Sequence, residues 1–249
     1  MSSAAFVILV AMDDELAPFI DRAENVGEPR QIGNAVHRDA VLGGHPVVLV
    51  RTGIGLVNAA GAATTAILAA QHAAGSTGVP LVISAGSAGG LGADVRVGNV
   101  VVGSEYINVD ADARVFGYKL GQVPGMPDTY PAADAVTGAI RSAQVGGSIP
   151  VHHGLIVSSY NFVTPERAKS IIGSFAGALA TDMESSAIAQ TCHVFGVPFI
   201  SIRGISDLCG PSAEDDFNNH VDDAAIKSAD VVISSMDALA KATGAYALV

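Results

Sequence analysis

Short runs of apolar, β-branched residues recur along the chain, separated by stretches in which apolar residues follow a helical period. Runs of this length and composition predict buried β-strands. A chain that alternates such strands with helices folds as an α/β protein, with helices covering a buried sheet. The predicted strands are Ala5 to Val10, Pro46 to Val50, Pro80 to Ser84, Asn99 to Gly103, Gly154 to Ser158 and Pro198 to Arg203.

Helical segments lie between and after these strands. Thr164 and Pro165 form a typical helix start, and Gly196 is a typical helix end. No linker-like tract divides the 249 residues, so we expect one α/β domain, residues 1–249, with a central mixed, twisted sheet flanked by helices. The predicted helices are Asn58 to Ala73, Pro165 to Phe175, Glu184 to Phe195 and about Asp222 to Lys241.

The charge balance restricts the partners of the chain. Thirteen basic and twenty-four acidic residues give a formal net charge of -11, which disfavours nucleic acid and anionic membranes. No apolar run approaches the roughly 20 residues that span a bilayer. Cys192 and Cys209 show no metal-ligand or disulfide pattern. We therefore expect a soluble cytoplasmic protein whose partner is a small molecule, with no nucleic acid, membrane or metal.

Acidic residues follow several of the predicted strands. Glu15 comes just after the first strand, and Pro18 should lie in the first turn of the next helix, because a proline lacks the N–H that a helix interior needs. Asp182 and Glu184 precede another helix, and Asp207 follows the last strand. Each acid alone could serve only as a helix cap. Together they predict a ligand site at one edge of the sheet.

Two further segments have no regular period. Ser84 to Leu91 is rich in glycine but matches no phosphate-binding motif, so its glycines serve either tight turns or a close approach of the backbone to a ligand. Ser104 to Tyr130 is expected to be a functional loop. The acids between Glu214 and Asp223 are interpreted as a solvated loop and helix start.

Seven motifs in order resemble those of the methylthioadenosine/S-adenosylhomocysteine nucleosidases, within the nucleoside phosphorylase superfamily. The resemblance covers most of the chain and implies hydrolysis of the N-glycosidic bond of 5′-modified adenosines. The motifs are Ala11-Met12-Asp13-Asp14-Glu15, Thr52-Gly53-Ile54-Gly55, Gly86-Ser87-Ala88-Gly89-Gly90-Leu91, Asp110-Ala111-Asp112 with Phe116-Gly117-Tyr118, Gly154-Leu155-Ile156-Val157-Ser158, Asp182-Met183-Glu184 and Ile205-Ser206-Asp207.

The resemblance implies a role for each matching residue. Glu15 would activate water and Asp207 would protonate adenine N7. Glu184 would hold the ribose hydroxyls, Phe162 would stack on adenine and the Val163 backbone would bond its edge. Ser87 and Arg203 would support the two acids. The other substrate-binding residues implied are Met12 and Ile54 at the 5′ substituent, Met183 at the sugar, and Gly89, Asp182 and Ser206.

The resemblance also implies a homodimer without cofactor, in which Val109 to Pro124 of one subunit closes the 5′ pocket of the other. The apolar residues of the long loop Ser104 to Tyr130 would otherwise form an exposed patch; they are Val109, Val115, Phe116, Val123 and Met126. The chain departs from the family pattern at Ser159-Tyr160-Asn161-Phe162, where Gly-Asp-x-Phe is usual, and at Asp182, where glutamate is common.

Two other functions remain open. A purine nucleoside phosphorylase would need cationic groups for phosphate, but acids stand after the first strand and Ser84 precedes the glycine-rich segment. A nucleoside-binding protein without catalysis would not need Glu15, Glu184 and Asp207 together. Both alternatives are therefore less consistent with the sequence than hydrolysis.

Overall fold

Strands and helices alternate along most of the chain in the computed structural model, which describes residues 6–74, 79–143 and 149–244. The strands are β1 (Phe6–Val10), β2 (Arg30–Ile32), β3 (Ala35–Leu42), β4 (His45–Arg51), β5 (Leu81–Gly90), β6 (Val100–Asn108), β7 (Tyr130–Pro131), β8 (Val151–Ser158), β9 (Ala178–Asp182) and β10 (Phe199–Asp207). The helices are α1 (Asp13–Ile20), α2 (Leu56–Ala74), α3 (Asp134–Ser142), α4 (Pro165–Ser174), α5 (Ser185–Phe195) and α6 (Ala213–Thr243), with a 3-10 turn at Arg114–Phe116.

All these strands belong to one mixed sheet. β1 lies parallel to both β4 and β5, and β10 lies parallel to β5. The C-terminal end of β5 also pairs with β9, and β10, β6, β8 and β9 follow one another, so that these strands and β5 close a ring. β4, β3 and β2 extend the sheet beyond β1. The predicted α/β fold with a central mixed sheet is confirmed, whereas the ring was not predicted.

The core lies between the sheet and its helices. Every residue of β1 is buried, and small alanines on one face of α2 allow that helix to pack closely on the sheet. Within the described ranges, no helix is both long enough and apolar enough to cross a bilayer. Cys192 and Cys209 are both buried and free.

The six predicted strands are found with their ends shifted, and Ala5 lies outside the described residues. The predicted cap of α4 is confirmed, since the Thr164 side chain accepts a hydrogen bond from the Arg167 N–H. The left-handed Gly196 ends α5 as expected. β2, β3, β7, β9 and α3 were not predicted.

Three local predictions are wrong. Pro18 lies inside α1 rather than in its first turn, because the helix already begins at Asp13. The first residues of the predicted loop, up to Asn108, extend β6, and Tyr130 belongs to β7. The acids from Glu214 to Asp223 are solvated and include a helix start, as interpreted, but none of them lies in a loop, because α6 already begins at Ala213. Weak helix formers in that stretch hide the period-four spacing of Ala213, Phe217 and Val221.

Candidate active site

A cavity of about 240 Å³ opens where β1, β5, β9 and β10 end. Carboxyl ends of neighbouring parallel strands are the usual ligand position in α/β proteins. All the sequence-predicted site residues except Val163 and Arg203 line this cavity. Its lining residues are Ala11, Met12, Glu15, Ile54, Ser87, Ala88, Gly89, Phe162, Thr181, Asp182, Met183, Glu184, Ser206, Asp207 and Phe217.

Glu15 is held at the floor of the cavity by four hydrogen bonds. One carboxylate oxygen, Oε2, accepts the backbone N–H groups of Ala11 at 2.8 Å and Met12 at 3.2 Å. The other, Oε1, accepts the N–H of Ser87 at 2.8 Å and its hydroxyl at 2.9 Å. Glu15 thus caps the start of α1 and also faces the ligand space, so the capping and functional interpretations are compatible.

Gly86 makes this position of Glu15 possible. Its φ of 133° lies in the region that favours glycine, and a Cβ added there would lie 2.3 Å from Glu15 Oε1. The glycine-rich segment is therefore the end of strand β5, not a chain of turns. The close approach at Gly86 is to a buried carboxylate of the protein.

Asp207 ends β10, where it is almost completely buried. Its Oδ1 accepts the Cys209 N–H at 2.9 Å, and its Oδ2 accepts the Ser206 hydroxyl at 3.0 Å. Burial raises the pKa of Asp207, opposed by these two donors and reinforced by the negative charge of Asp216. A carboxyl group with a raised pKa retains its proton to higher pH, which suits a general acid.

Gly89 leaves the space beside this acid. A Cβ at Gly89 would lie 2.5 Å from Cys209 Sγ and 3.2 Å from Asp207 Oδ1. Gly89 is paired in the sheet with both Asp207 and Thr181. The ring closure of the sheet therefore places β9 and β10 on either side of β5 at the cavity.

Glu184 stands at the start of α5, opposite α2. Its Oε1 accepts the Gly55 N–H at 2.8 Å, and its Oε2 lies 3.6 Å from Arg203 Nη2. Burial raises the pKa of Glu184; Arg203 opposes this change, and the charges of Asp182 and Glu15 reinforce it. Glu184 thus links Gly55, just before α2, to Arg203 of β10.

Arg203 lies behind the cavity and is only 1% exposed. Its Nε contacts Asp182 Oδ2 at 3.0 Å, and its Nη2 donates to Ser84 Oγ at 2.6 Å. Its Nη1 donates to the backbone oxygen of Ser87 at 3.3 Å. Arg203 therefore supports the residue that holds Glu15, and it does so from outside the ligand space.

The site carries more negative than positive charge. Four acids line the cavity, whereas none of its described lining residues is lysine, arginine or histidine. Within the described residues, no group of three or more potential ligands is placed to hold a metal ion. The described lining therefore offers an anion no cationic side chain.

Phe162 and Phe217 form an aromatic wall. Their ring centroids are 6.0 Å apart in an edge-to-face arrangement. Phe217 was missed by the sequence analysis, because it lies in the acid-rich stretch interpreted as solvated. A single phenylalanine among acids and asparagines is the signal that could have identified it.

Val163 lies beside this wall, with its side chain buried in a small cluster that also contains Val157 and Cys209. Met12, Ile54, Met183 and Ser206 line the cavity as expected. Asp182 also lines it, but both of its carboxylate oxygens accept hydrogen bonds from protein groups.

Ser159 and Tyr160, where the sequence departs from the family pattern, take part in a local hydrogen-bond network. Asp110 accepts hydrogen bonds from the Ser159 hydroxyl at 3.1 Å and from the Tyr160 N–H at 2.7 Å, and it pairs with Arg167. Tyr160 also accepts the N–H of Val57 at 2.9 Å. These bonds join the segment before Phe162 to both α2 and α4.

Comparison with known proteins gives consistent matches. A family model described as the phosphorylase superfamily matches residues 5–237. A 5′-methylthioadenosine/S-adenosylhomocysteine nucleosidase of Geobacillus sp. strain WCH70 is 38% identical over 236 residues, which cover 94% of this chain and 98% of the relative.

Solved structures agree with this match. The Neisseria meningitidis nucleosidase in complex with methylthio-immucillin-A has a TM-score of 0.85 and 36% identity, covering 93% of this chain and 97% of that one. The Colwellia psychrerythraea 34H nucleosidase in complex with adenine has a TM-score of 0.88 and 30% identity, covering 96% of each chain. The chain belongs to the phosphorylase superfamily and, within it, to the 5′-methylthioadenosine/S-adenosylhomocysteine nucleosidases.

Proposed function

We propose that the chain hydrolyses the N-glycosidic bond of 5′-modified adenosines and releases adenine. The substrate class comprises 5′-methylthioadenosine and S-adenosylhomocysteine, with 5′-deoxyadenosine and aminofutalosine as further candidates. The observation that carries this proposal is a cavity that holds three buried acids, Glu15, Glu184 and Asp207, and an aromatic wall.

Asp207 acts as the general acid. Adenine leaves poorly as an anion, and protonation at N7 makes it a neutral leaving group. The raised pKa of Asp207 keeps this proton available. Phe162 stacks on the base, with Phe217 at its edge, and the Val163 backbone binds the adenine edge.

Glu15 acts as the base that orients and deprotonates water. All four of its hydrogen bonds come from protein donors, but the Ser87 hydroxyl can rotate away without disturbing the backbone. Water takes that place and attacks C1′ on the face opposite to adenine. This single displacement gives inversion, as in inverting glycosidases.

Glu184 binds the ribose hydroxyls. Its charge also favours the oxocarbenium-like transition state over the neutral substrate. Met183 lies against the sugar, while Met12 and Ile54 face the 5′ substituent. Gly89, Asp182 and Ser206 complete the site, and Ser87 and Arg203 keep the acids in position.

Hydrolysis is favoured over phosphorolysis by charge. Phosphate recognition relies on arginine or lysine, whereas the described lining contains acids and no basic residue. The nearby Arg203 is engaged by Asp182 and Ser84. A phosphate next to Glu15 would meet an uncompensated negative charge.

A substrate panel tests this proposal. The purified protein is expected to release adenine from 5′-methylthioadenosine or another 5′-modified adenosine much faster than hypoxanthine from inosine. The proposed reason is that the Val163 backbone binds the base edge at which adenine carries an amino group and hypoxanthine a carbonyl. If the protein releases adenine from no member of the panel, the proposal is contradicted.

We further propose that the protein acts as a homodimer in the cytoplasm, in methionine salvage. The residues that support the dimer are Val115 and Phe116, which are 86% and 79% exposed. Val109 and Met126 pack partly against the protein's own core clusters. The apolar patch is therefore smaller than the sequence suggested.

A further inference from the structure

A buried chain of hydroxyl groups lies behind Glu184. Ser185 donates a hydrogen bond from its hydroxyl to Asp182 Oδ2. The hydroxyls of Ser185 and Ser201 are 2.7 Å apart, and Arg203 Nε lies 3.3 Å from Ser201 Oγ. These four side chains are all almost completely buried.

Hydrogen counting gives this chain a direction. A serine hydroxyl carries one hydrogen, and that of Ser185 goes to Asp182. Ser201 must therefore donate to Ser185, while Arg203 Nε donates to Ser201. Ser185 Oγ also accepts a long hydrogen bond of 3.4 Å from Arg203 Nη2. The hydrogen bonds therefore run from Arg203 to Ser201, from Ser201 to Ser185 and from Ser185 to Asp182. Arg203 and Asp182 are also in direct contact, at 3.0 Å.

Asp182 and Glu184 compete for the same cation. Arg203 contacts Asp182 through Nε and lies 3.6 Å from Glu184 Oε2 through Nη2. Asp182 also accepts the Ser158 hydroxyl at 2.6 Å on its other oxygen. When other donors stabilise the negative charge of Asp182, Arg203 interacts less strongly with Asp182 and can stabilise the charge of Glu184 more.

We propose that Ser185 is a positioning residue, which holds Asp182 at the Nε side of Arg203 so that Nη2 keeps Glu184 oriented for the ribose. This proposal rests on the proposed function of Glu184. The Ser185 hydroxyl donates directly to the Asp182 carboxylate.

The substitution Ser185→Ala removes one donor from Asp182. The substitution also removes the Ser185 hydroxyl as an acceptor of Arg203 Nη2. Arg203 should then shift toward the less satisfied Asp182, and Glu184 should lose part of its compensating charge. The charged groups that face Glu184 are Arg203 from β10, Asp182 from β9 and Glu15 from α1. Less support from Arg203 makes Glu184 easier to protonate, so the acidic limb of ligand binding should move to higher pH.

The chain offers a matched control in Ser186. It is adjacent on α5 and equally buried, but its hydroxyl has no hydrogen-bond partner among the described residues. Ser186→Ala therefore removes a buried oxygen at the next position without changing the donors of Asp182.

The experiment measures calorimetric affinity for 5′-methylthio-9-deazaadenosine, whose C-glycosidic bond cannot be hydrolysed, as a function of pH. Ser185→Ala should weaken binding roughly tenfold below neutral pH, as expected for the loss of a hydrogen bond to a charged group, with less effect at higher pH. Ser186→Ala should match the parent.

A second pair of variants tests the role of Ser185 by recovery of binding, which a misfolded protein would not show. Asp182→Glu should weaken binding, because the longer carboxylate meets the Ser185 hydroxyl, whereas Asp182→Glu with Ser185→Ala should recover most of the affinity. Thermal unfolding verifies that each variant is folded.

Three results would overturn the positioning role: equal behaviour of the Ser185 and Ser186 variants, a loss for Ser185→Ala that is uniform over pH, or no recovery in the double variant. These results leave the proposed function intact. A parent protein that binds the analogue but releases no adenine would instead contradict the proposed function.

Discussion

At the level of single residues, the groups around the three cavity acids decide which of them can act as the general acid. Glu15, Glu184 and Asp207 are similarly buried, but their hydrogen-bond partners differ. Glu15 accepts four donors, whereas Asp207 accepts one on each oxygen. Burial raises the pKa of Asp207, and among the described residues no lysine or arginine pairs with it, so Asp207 is suited to carry a proton.

Asp207→Asn should leave the protein folded and able to bind an adenosine analogue. The amide is nearly isosteric but cannot deliver a proton to N7, so kcat should fall by roughly 10² to 10⁴-fold, with a smaller change in KM. Steady-state kinetics with 5′-methylthioadenosine measure this. Near-normal kcat would show that Asp207 is not the acid.

The pH profile provides a separate prediction at the same acid. The raised pKa means that Asp207 keeps its proton until the pH rises through that value, so activity should be lost on the alkaline side. The Ser206 hydroxyl opposes the rise in pKa, and Ser206→Ala should therefore move the alkaline limb of kcat/KM to higher pH. A shift to lower pH, or none, would contradict this assignment.

At the scale of elements, strand ends and glycines determine where the acids can lie. Gly86 is the clearest case, because a side chain there would displace Glu15. Glycine also allows the left-handed φ values that other residues adopt at a cost of about 1 kcal/mol.

Gly86→Ala should lower kcat/KM by roughly 100-fold or more, as expected when a general base is displaced. Gly177→Ala is the matched control: φ there is +85°, but an added Cβ meets nothing within 4 Å. Both variants bear backbone strain, so thermal unfolding should show a lower Tm for both. Equal activity of the two would contradict the role of Gly86 in placing Glu15.

The sequence predicted the strands whose apolar residues are contiguous, such as β1, and the helices with strong end signals, such as α4. It missed β3, where polar residues and histidine interrupt the apolar alternation, and the first turns of α6. Glu15 and Asp207 were found because they follow predicted strands, and Asp182 and Glu184 because they precede a predicted helix. Phe217 was missed because its helix was not recognised, and Ser185 because its role depends on contacts between β9, β10 and α5.

At the scale of the whole molecule, an exposed apolar turn remains on the described surface at Val115 and Phe116. We expect a homodimer by light scattering, and we expect Phe116→Asp to shift it toward monomer, because burying a carboxylate in an apolar contact is unfavourable. Val194→Asp, at a 62% exposed valine of α5, is the control and should remain dimeric. A monomeric parent at micromolar concentration would contradict this prediction.

The most direct test of the central claim is the sugar product formed from 5′-methylthioadenosine with and without phosphate. The acidic cavity predicts that adenine and free 5-methylthioribose appear at the same rate in both buffers, since water is the nucleophile. Formation of 5-methylthioribose 1-phosphate, or adenine release that requires phosphate, would show that the enzyme is a phosphorylase and would contradict the account.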